Sequence, residues 1–163
     1  MPHTIGAKMY KILALDQASK VTGYALITTE GIEQYGTITA PADLNYIERL
    51  RIMYSNIQEL IKKTKPSYVV FEATQYQNNF AAFGTLSMLQ GIIMAELFRK
   101  KLGFYIVPAT CWKSFCGIKG KKRQEQKINT KAFVAERYNI IATEDEADAI
   151  GIATWAIGNI EEE

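Results

Sequence analysis

The sequence predicts an α/β domain built on a mixed five-stranded sheet, three strands antiparallel and two more parallel, flanked by helices. Three observations carry this. Two apolar, β-branched runs, residues 12–15 and 21–28, are separated by a small polar turn and read as strand, tight turn, strand. A stretch of helical spacing then leads to a further short apolar run, 67–71, which suits a strand parallel to the first because a helix crosses between them. The chain has 163 residues, of which 48% are hydrophobic and 22% charged, enough for one globular domain with a sizeable core.

Taken in order, residues 1–9 form a polar leader that is not a signal peptide, so the expected domain spans 1–163 behind a flexible start. Residues 10–15, 21–28 and 33–39 are the first three strands, with Glu30-Gly31 as the second turn of a meander. Ala40-Pro41-Ala42-Asp43 breaks the chain, and Asp43 is the expected N-cap of the first helix. From 44 to 63, Tyr46, Ile47, Leu50, Ile52, Met53, Ile57, Leu60 and Ile61 keep helical spacing until Lys65-Pro66 ends the run. Residues 67–71 are buried strand, and 75–79 are polar loop.

Residues 80–101 form a long helix that is apolar on nearly every face. Core plus a subunit interface suits it better than a membrane span, because Thr85, Ser87, Gln90, Gly91 and Glu96 interrupt the apolar run. Residues 104–107 are a strand ended by Pro108, and 110–115 a short helix. Residues 117–126 are a basic, glycine-containing loop. Residues 127–138 are a helix with Phe133, Val134 and Tyr138 inward. The last helix, 144–160, turns Ala149, Ile152, Ala153, Ala156 and Ile157 inward. Thr143 caps it, and the acids at 144–146 suit the positive end of its dipole.

Composition narrows the chemistry. The net charge of +2 says little, but residues 113–131 hold seven basic residues and one acid, whereas 144–163 hold seven acids and no base. That asymmetry is expected when one segment meets phosphates and another holds a metal. The two cysteines, Cys111 and Cys116, have no histidine near them and read as ordinary intracellular thiols. His3 is the sole histidine and sits in the leader, which disfavours Ser-His-Asp and Cys-His catalysis. Carboxylates, lysines or a metal must carry any reaction.

The first and fourth predicted strands each end on one acid, Asp16 and Glu72. Read alone, Asp16 fits an Asx-turn cap as well as a ligand. Two central strands that each deliver a carboxylate at the carboxyl end form a functional-site pattern of open α/β sheets. Asp145 and Asp148, three residues apart, share one face of the last helix. Four carboxylates without His or Cys suit a hard cation, Mg²⁺ or Mn²⁺, rather than zinc. Two such ions about 4 Å apart activate water and stabilise the leaving oxygen in phosphodiester hydrolysis. The basic segment, close in sequence to Trp112 and Phe115, then reads as a nucleic-acid face, with a solvated lysine loop as the alternative.

Three stretches together resemble the RuvC family of Holliday-junction resolvases, within the RNase H-like (retroviral integrase) superfamily. ILALDQASKVTGYALI resembles the opening strand, through Asp16, Ser19, Val21, Thr22, Gly23 and Tyr24. VVFEATQYQNNFAAFGTLSMLQG resembles the segment carrying the family's Glu, through Glu72, Asn79, Gln90 and Gly91. DEADAIGIA resembles the final helix, through Asp145, Asp148, Ala149 and Ala153. The motifs stand in family order and cover most of residues 11–157. The chain departs from the pattern at Gln17-Ala18, where the family usually has Pro-Gly. It departs again after Glu72, where Gln75, Tyr76 and Phe80 occupy the region of the family's base-stacking aromatic.

The resemblance implies an RNase H-like fold, with Asp16, Glu72, Asp145 and Asp148 as catalytic ligands of Mg²⁺, for which Mn²⁺ can substitute. It implies a homodimer that nicks two strands of a four-way junction, leaving 5′-phosphate and 3′-hydroxyl ends. Tyr76, Lys113, Lys119, Lys121, Lys122, Arg123 and Lys127 are the expected DNA contacts. The expected setting is the cytoplasm, that of a bacterial host for a phage-encoded member, which this short, divergent chain resembles. Three rivals remain: a nuclease on RNA–DNA hybrids, a non-catalytic branched-DNA-binding module, and an actin/hexokinase-type phosphate-binding fold. The last opens similarly but usually needs two lobes and a much longer chain.

Overall fold

The structure, a computed structural model, describes residues 10–160; the expected leader, 1–9, lies outside the described residues. The strands are β1 (Ile12–Asp16), β2 (Val21–Thr28), β3 (Gly31–Thr39), β4 (Tyr68–Glu72) and β5 (Gly103–Val107). The helices are α1 (Tyr46–Thr64), α2 (Phe80–Lys100), α3 (Ala109–Phe115), α4 (Arg123–Tyr138) and α5 (Glu144–Asn159). Strand order is β3-β2-β1-β4-β5. The first three strands pair antiparallel, while β1–β4 and β4–β5 pair parallel, as the sequence predicts.

Strand alternation sorts the core into two layers. Leu13, Leu15, Leu26, Val69 and Phe71 face α1 and α2, where Met53, Ile57, Ile61, Leu89, Ile93 and Leu97 cover them. Ile12, Ala14, Ala25, Ile27 and Val70 face the other way, toward Trp112 of α3, Val134 of α4 and the inner side of α5. α5 packs across β1 and β2, and its inner residues Ala149, Ile152, Ala153 and Ala156 are fully buried. The small alanines let this helix lie close on the sheet.

Several boundaries differ from expectation for local reasons. α1 starts at Tyr46, and its cap is Asn45, whose Oδ1 accepts from Glu48 N at 3.0 Å. Asp43 instead lies in the preceding turn. α4 starts at Arg123, so the basic loop is shorter than 117–126. Its first turn is held by side chains: Glu125 Oε2 accepts from Lys121 N at 3.1 Å, and Gln126 Nε2 donates to Gly120 O at 3.0 Å. Thr143 does cap α5, in a full capping box with Glu146.

α2 has the length and apolarity of a membrane-crossing helix. Its packing is that of a domain helix. Glu96, 2% exposed, accepts from Tyr54 Oη and Gln58 Nε2 of α1 at 3.0 and 3.4 Å and from Arg99 Nη2 at 2.7 Å. Hydrogen bonding to Arg99 holds the Glu96 carboxyl below its usual range. The opposite side of α2 leaves Phe80, Met88 and Phe98 exposed.

Candidate active site

Asp16 and Glu72 are the last residues of β1 and β4, which lie side by side. Both continue the alternation of Ile12, Ala14 and Val70, so both point to the α5 face of the sheet. β2 pairs Gly23 opposite Asp16. A Cβ on Gly23 would stand 2.0 Å from the backbone oxygen of Asp145. The missing side chain therefore lets the first turn of α5 settle over the end of β1. That approach brings Asp145 and Asp148 to the strand ends.

The four carboxylates line one cleft of about 1120 Å³. This lies just above the usual range for a small-molecule pocket. Lys113, Lys119, Arg123 and Lys127 line the same cleft. Lys113 Nζ donates to Gln126 Oε1 at 3.0 Å, and Lys127 Nζ pairs with Glu144 Oε2 at 2.7 Å. Lys121 and Lys122 are exposed before α4 but do not line the cleft. Tyr76 also stands outside it, in an exposed aromatic group with Phe80 at 4.9 Å and Phe83 at 5.9 Å.

Electrostatics marks these acids as a strained set. Burial raises the Asp16 carboxyl well above its usual range, and the charges of Asp148, Glu72 and Asp145 raise it further; Lys127 opposes them. Burial, then Glu72, pushes Asp148 up to about 6. Asp145 is raised mainly by burial. Glu72 is raised by burial too, against a hydrogen bond from Trp112 and the charges of Lys113 and Arg123. Such mutual repulsion in a half-buried cluster is relieved by a cation.

The donor chemistry fits a hard divalent ion, since every candidate ligand is a carboxylate oxygen. Among the described residues, no three His, Cys, Asp or Glu side chains stand close enough together to hold an ion as they are. The four carboxylates line one cleft, reaching it from two strand ends and the first turn of α5, and would have to draw together to hold an ion.

A sequence model of the family described as crossover junction endodeoxyribonuclease RuvC matches residues 12–155. The chain belongs to the RuvC family. The crossover junction endodeoxyribonuclease RuvC of Protochlamydia amoebophila is 30% identical over 149 residues, covering 87% of each chain. That of Fusobacterium nucleatum is 26% identical over 159 residues, covering 92% of this chain and 81% of its own. In fold, Thermus thermophilus RuvC in complex with Holliday junction substrate matches with a TM-score of 0.71, at 11% identity over 90% of this chain and 91% of that one. The yeast mitochondrial Holliday junction resolvase Ydc2 matches at 0.61, with 14% identity over 93% of this chain and 80% of its own. The RNase H-like architecture expected from the sequence is the one found.

Within this RuvC-family chain, three residues shape the cleft through long-range contacts that the sequence does not show. Trp112, which lies close in sequence to the expected nucleic-acid face, is fully buried, and its indole Nε1 donates to Glu72 Oε2 at 3.0 Å. Gln17 joins the two strand ends, its Nε2 donating to Glu72 O at 2.7 Å. Gln90 of α2 holds the segment after β4, its Oε1 accepting from Thr74 N and Oγ1 at 3.2 and 3.0 Å. No local pattern announces such contacts, because each links positions at least 16 residues apart.

Proposed function

We propose that this chain is a structure-selective endodeoxyribonuclease that resolves Holliday junctions by metal-dependent hydrolysis of phosphodiester bonds. The observation that carries the reading is one cleft that combines four carboxylates from two strand ends and α5 with Lys113, Lys119, Arg123 and Lys127. Membership of the RuvC family supports it.

In this reading Asp16, Glu72, Asp145 and Asp148 hold Mg²⁺, or Mn²⁺ in its place. The ion supplies Lewis acidity and charge neutralisation at the scissile phosphate. Asp16, at the centre of the mutual repulsion, is the principal ligand. Trp112 keeps the Glu72 carboxylate turned toward the cleft. Lys113, Lys119, Arg123 and Lys127 grip the DNA backbone on either side, with Lys121 and Lys122 beyond them. Tyr76, backed by Phe80 and Phe83, offers an aromatic surface on which an unpaired base at the junction centre can stack. Cleavage leaves 5′-phosphate and 3′-hydroxyl ends.

Two nicks require two sites, and the exposed apolar side of α2 suits a homodimer, which sedimentation at cleavage concentrations tests. The domain is read as spanning the whole chain. Its setting is the cytoplasm, the host's if the protein is phage-encoded. A nicking assay on four-way junction, three-way junction, flap, linear duplex and RNA–DNA hybrid tests the function. Preferred cleavage of the four-way junction in Mg²⁺ is expected. Preference for the hybrid favours the RNase H-type alternative, and binding without cleavage favours a branched-DNA-binding module.

A further inference from the structure

Gln17 follows Asp16 directly and is 7% exposed, unusual burial for a long polar side chain. The β1–β4 ladder ends at the pair Leu15 and Phe71. Just past it, Gln17 Nε2 donates to the backbone oxygen of Glu72 at 2.7 Å. The amide thus continues the pairing with a side chain and ties together the two strand ends that carry Asp16 and Glu72. The bond also settles which way the amide lies, because only its NH₂ end can donate to a carbonyl.

The other end is unmatched. Gln17 Oε1 is buried without a hydrogen-bond partner, the sole such side-chain atom among the described residues. A buried acceptor left without a donor is costly, so its persistence calls for an explanation. Gln17 lines the cleft beside the four acids. Once ionised to take up a cation, the carboxylates only accept hydrogen bonds, and so do the oxygens of a DNA phosphodiester. Of the four cations that line the cleft, Lys113 is engaged with Gln126 and Lys127 with Glu144, and neither Lys119 nor Arg123 donates to Gln17. The remaining donor chemistry that belongs in an acidic cleft is water, and the water most strongly polarised to donate is that hydrating a divalent cation.

We infer that Gln17 is a positioning residue: its NH₂ holds the end of β4, and its carbonyl oxygen accepts a hydrogen bond from the hydration shell of the cation taken up by the acids. The inference rests on the metal-dependent reading of the cleft. It makes a distinction that a purely structural role does not. Mg²⁺ sheds water reluctantly and keeps several waters when bound, whereas Ca²⁺ accepts more direct oxygen ligands in a looser shell. Loss of an outer acceptor therefore weakens Mg²⁺ more than Ca²⁺.

The test is calorimetric titration of the DNA-free protein with Mg²⁺ and with Ca²⁺. Gln17→Met keeps the length of the side chain and removes both polar atoms. The expected result is a Mg²⁺ Kd raised about tenfold, the loss of roughly one good hydrogen bond, with Ca²⁺ affinity changed far less. Equal weakening of both ions, or of neither, overturns the role. Asp16→Asn, measured alongside, separates the two levels of the argument. If it leaves ion binding and cleavage intact, the metal-site reading fails. If it abolishes both while Gln17→Met binds Mg²⁺ like the wild type, only the role of Gln17 fails. Should Gln17→Met not fold, the side-chain NH₂ resonance of Gln17 in the wild-type protein decides: it shifts during a Mg²⁺ titration if the role holds, and a stationary signal overturns it.

Discussion

The indole Nε1 of Trp112 donates a 3.0 Å hydrogen bond to Oε2 of Glu72. Gly151 of α5 makes room for the ring, since a Cβ there would stand 2.5 Å from Trp112 Cζ3. A buried aromatic thus turns a strand-end carboxylate toward the cleft and offsets part of the cost of burying its charge. Trp112→Phe keeps most of the packing and removes the donor. We expect a loss of stability of about 1–3 kcal/mol in urea melts and a roughly tenfold fall in nicking rate, one hydrogen bond's worth. Wild-type rates would show that the bond does not orient Glu72 for chemistry.

Asp16 is half-buried, raised by burial and by three neighbouring acids, and no hydrogen-bond donor among the described residues reaches it. An acid so placed weakens the metal-free fold, and in the proposed reading that cost is accepted for chemistry. Asp16→Asn should abolish cleavage, leave junction binding in place, and raise the melting temperature in chelator by roughly 2–4 °C, the equivalent of about 1 kcal/mol. Gel-shift, nicking and thermal melts check the three parts. A variant that still cuts would remove Asp16 from the catalytic set.

The Asp148 carboxyl, pushed up to about 6, makes stability depend on pH. The folded protein holds this proton more tightly than the unfolded chain, whose aspartates titrate near pH 3.9. The stabilising contribution is therefore complete below about pH 4 and lost as pH rises through about 6. Urea melts in chelator should show Asp148→Asn gaining on the wild type across that window, by on the order of 1–3 kcal/mol at the plateau. Cleavage by the wild type should rise over the same range, because a divalent ion binds the ionised form. A constant difference between the two proteins from pH 4 to pH 7 would contradict the assignment.

Gly23 and Gly91 form a contrasting pair. A Cβ on Gly23 meets the Asp145 backbone at 2.0 Å, whereas one on Gly91 meets nothing within 4 Å. Gly23→Ala should push α5 off the end of β1, costing roughly 1–3 kcal/mol and lowering cleavage with it. Gly91→Ala, in the middle of α2, should stabilise the folded chain by roughly 0.5–1 kcal/mol. Equal effects at both positions would rule out close approach as the reason for glycine at 23.

Much of this arrangement is legible in one dimension. Asp16 and Glu72 announce themselves because a buried apolar strand ending in an acid is a local pattern, and alternation along β1 and β4 then sends both to the same face. The capping box at Thr143 and the three-residue spacing of Asp145 and Asp148 are likewise local, set by helix geometry. The boundaries that differ, at Asn45 and Arg123, depend on which of several competent side chains reaches a free N–H, and the final packing makes that choice.

The sequence by itself determined the sheet, the four acids and the family, because these rest on periodicity and on motifs within short windows. Tertiary structure alone decided how the acids meet and what supports them. The bond from Trp112 to Glu72, that from Gln17 to the Glu72 backbone, and the approach of Asp145 to Gly23 join residues 40, 55 and more than 100 positions apart. Contacts of that range exist only after the sheet and α5 have packed, and burial then turns an ordinary Trp and an ordinary Gln into parts of a charged cleft.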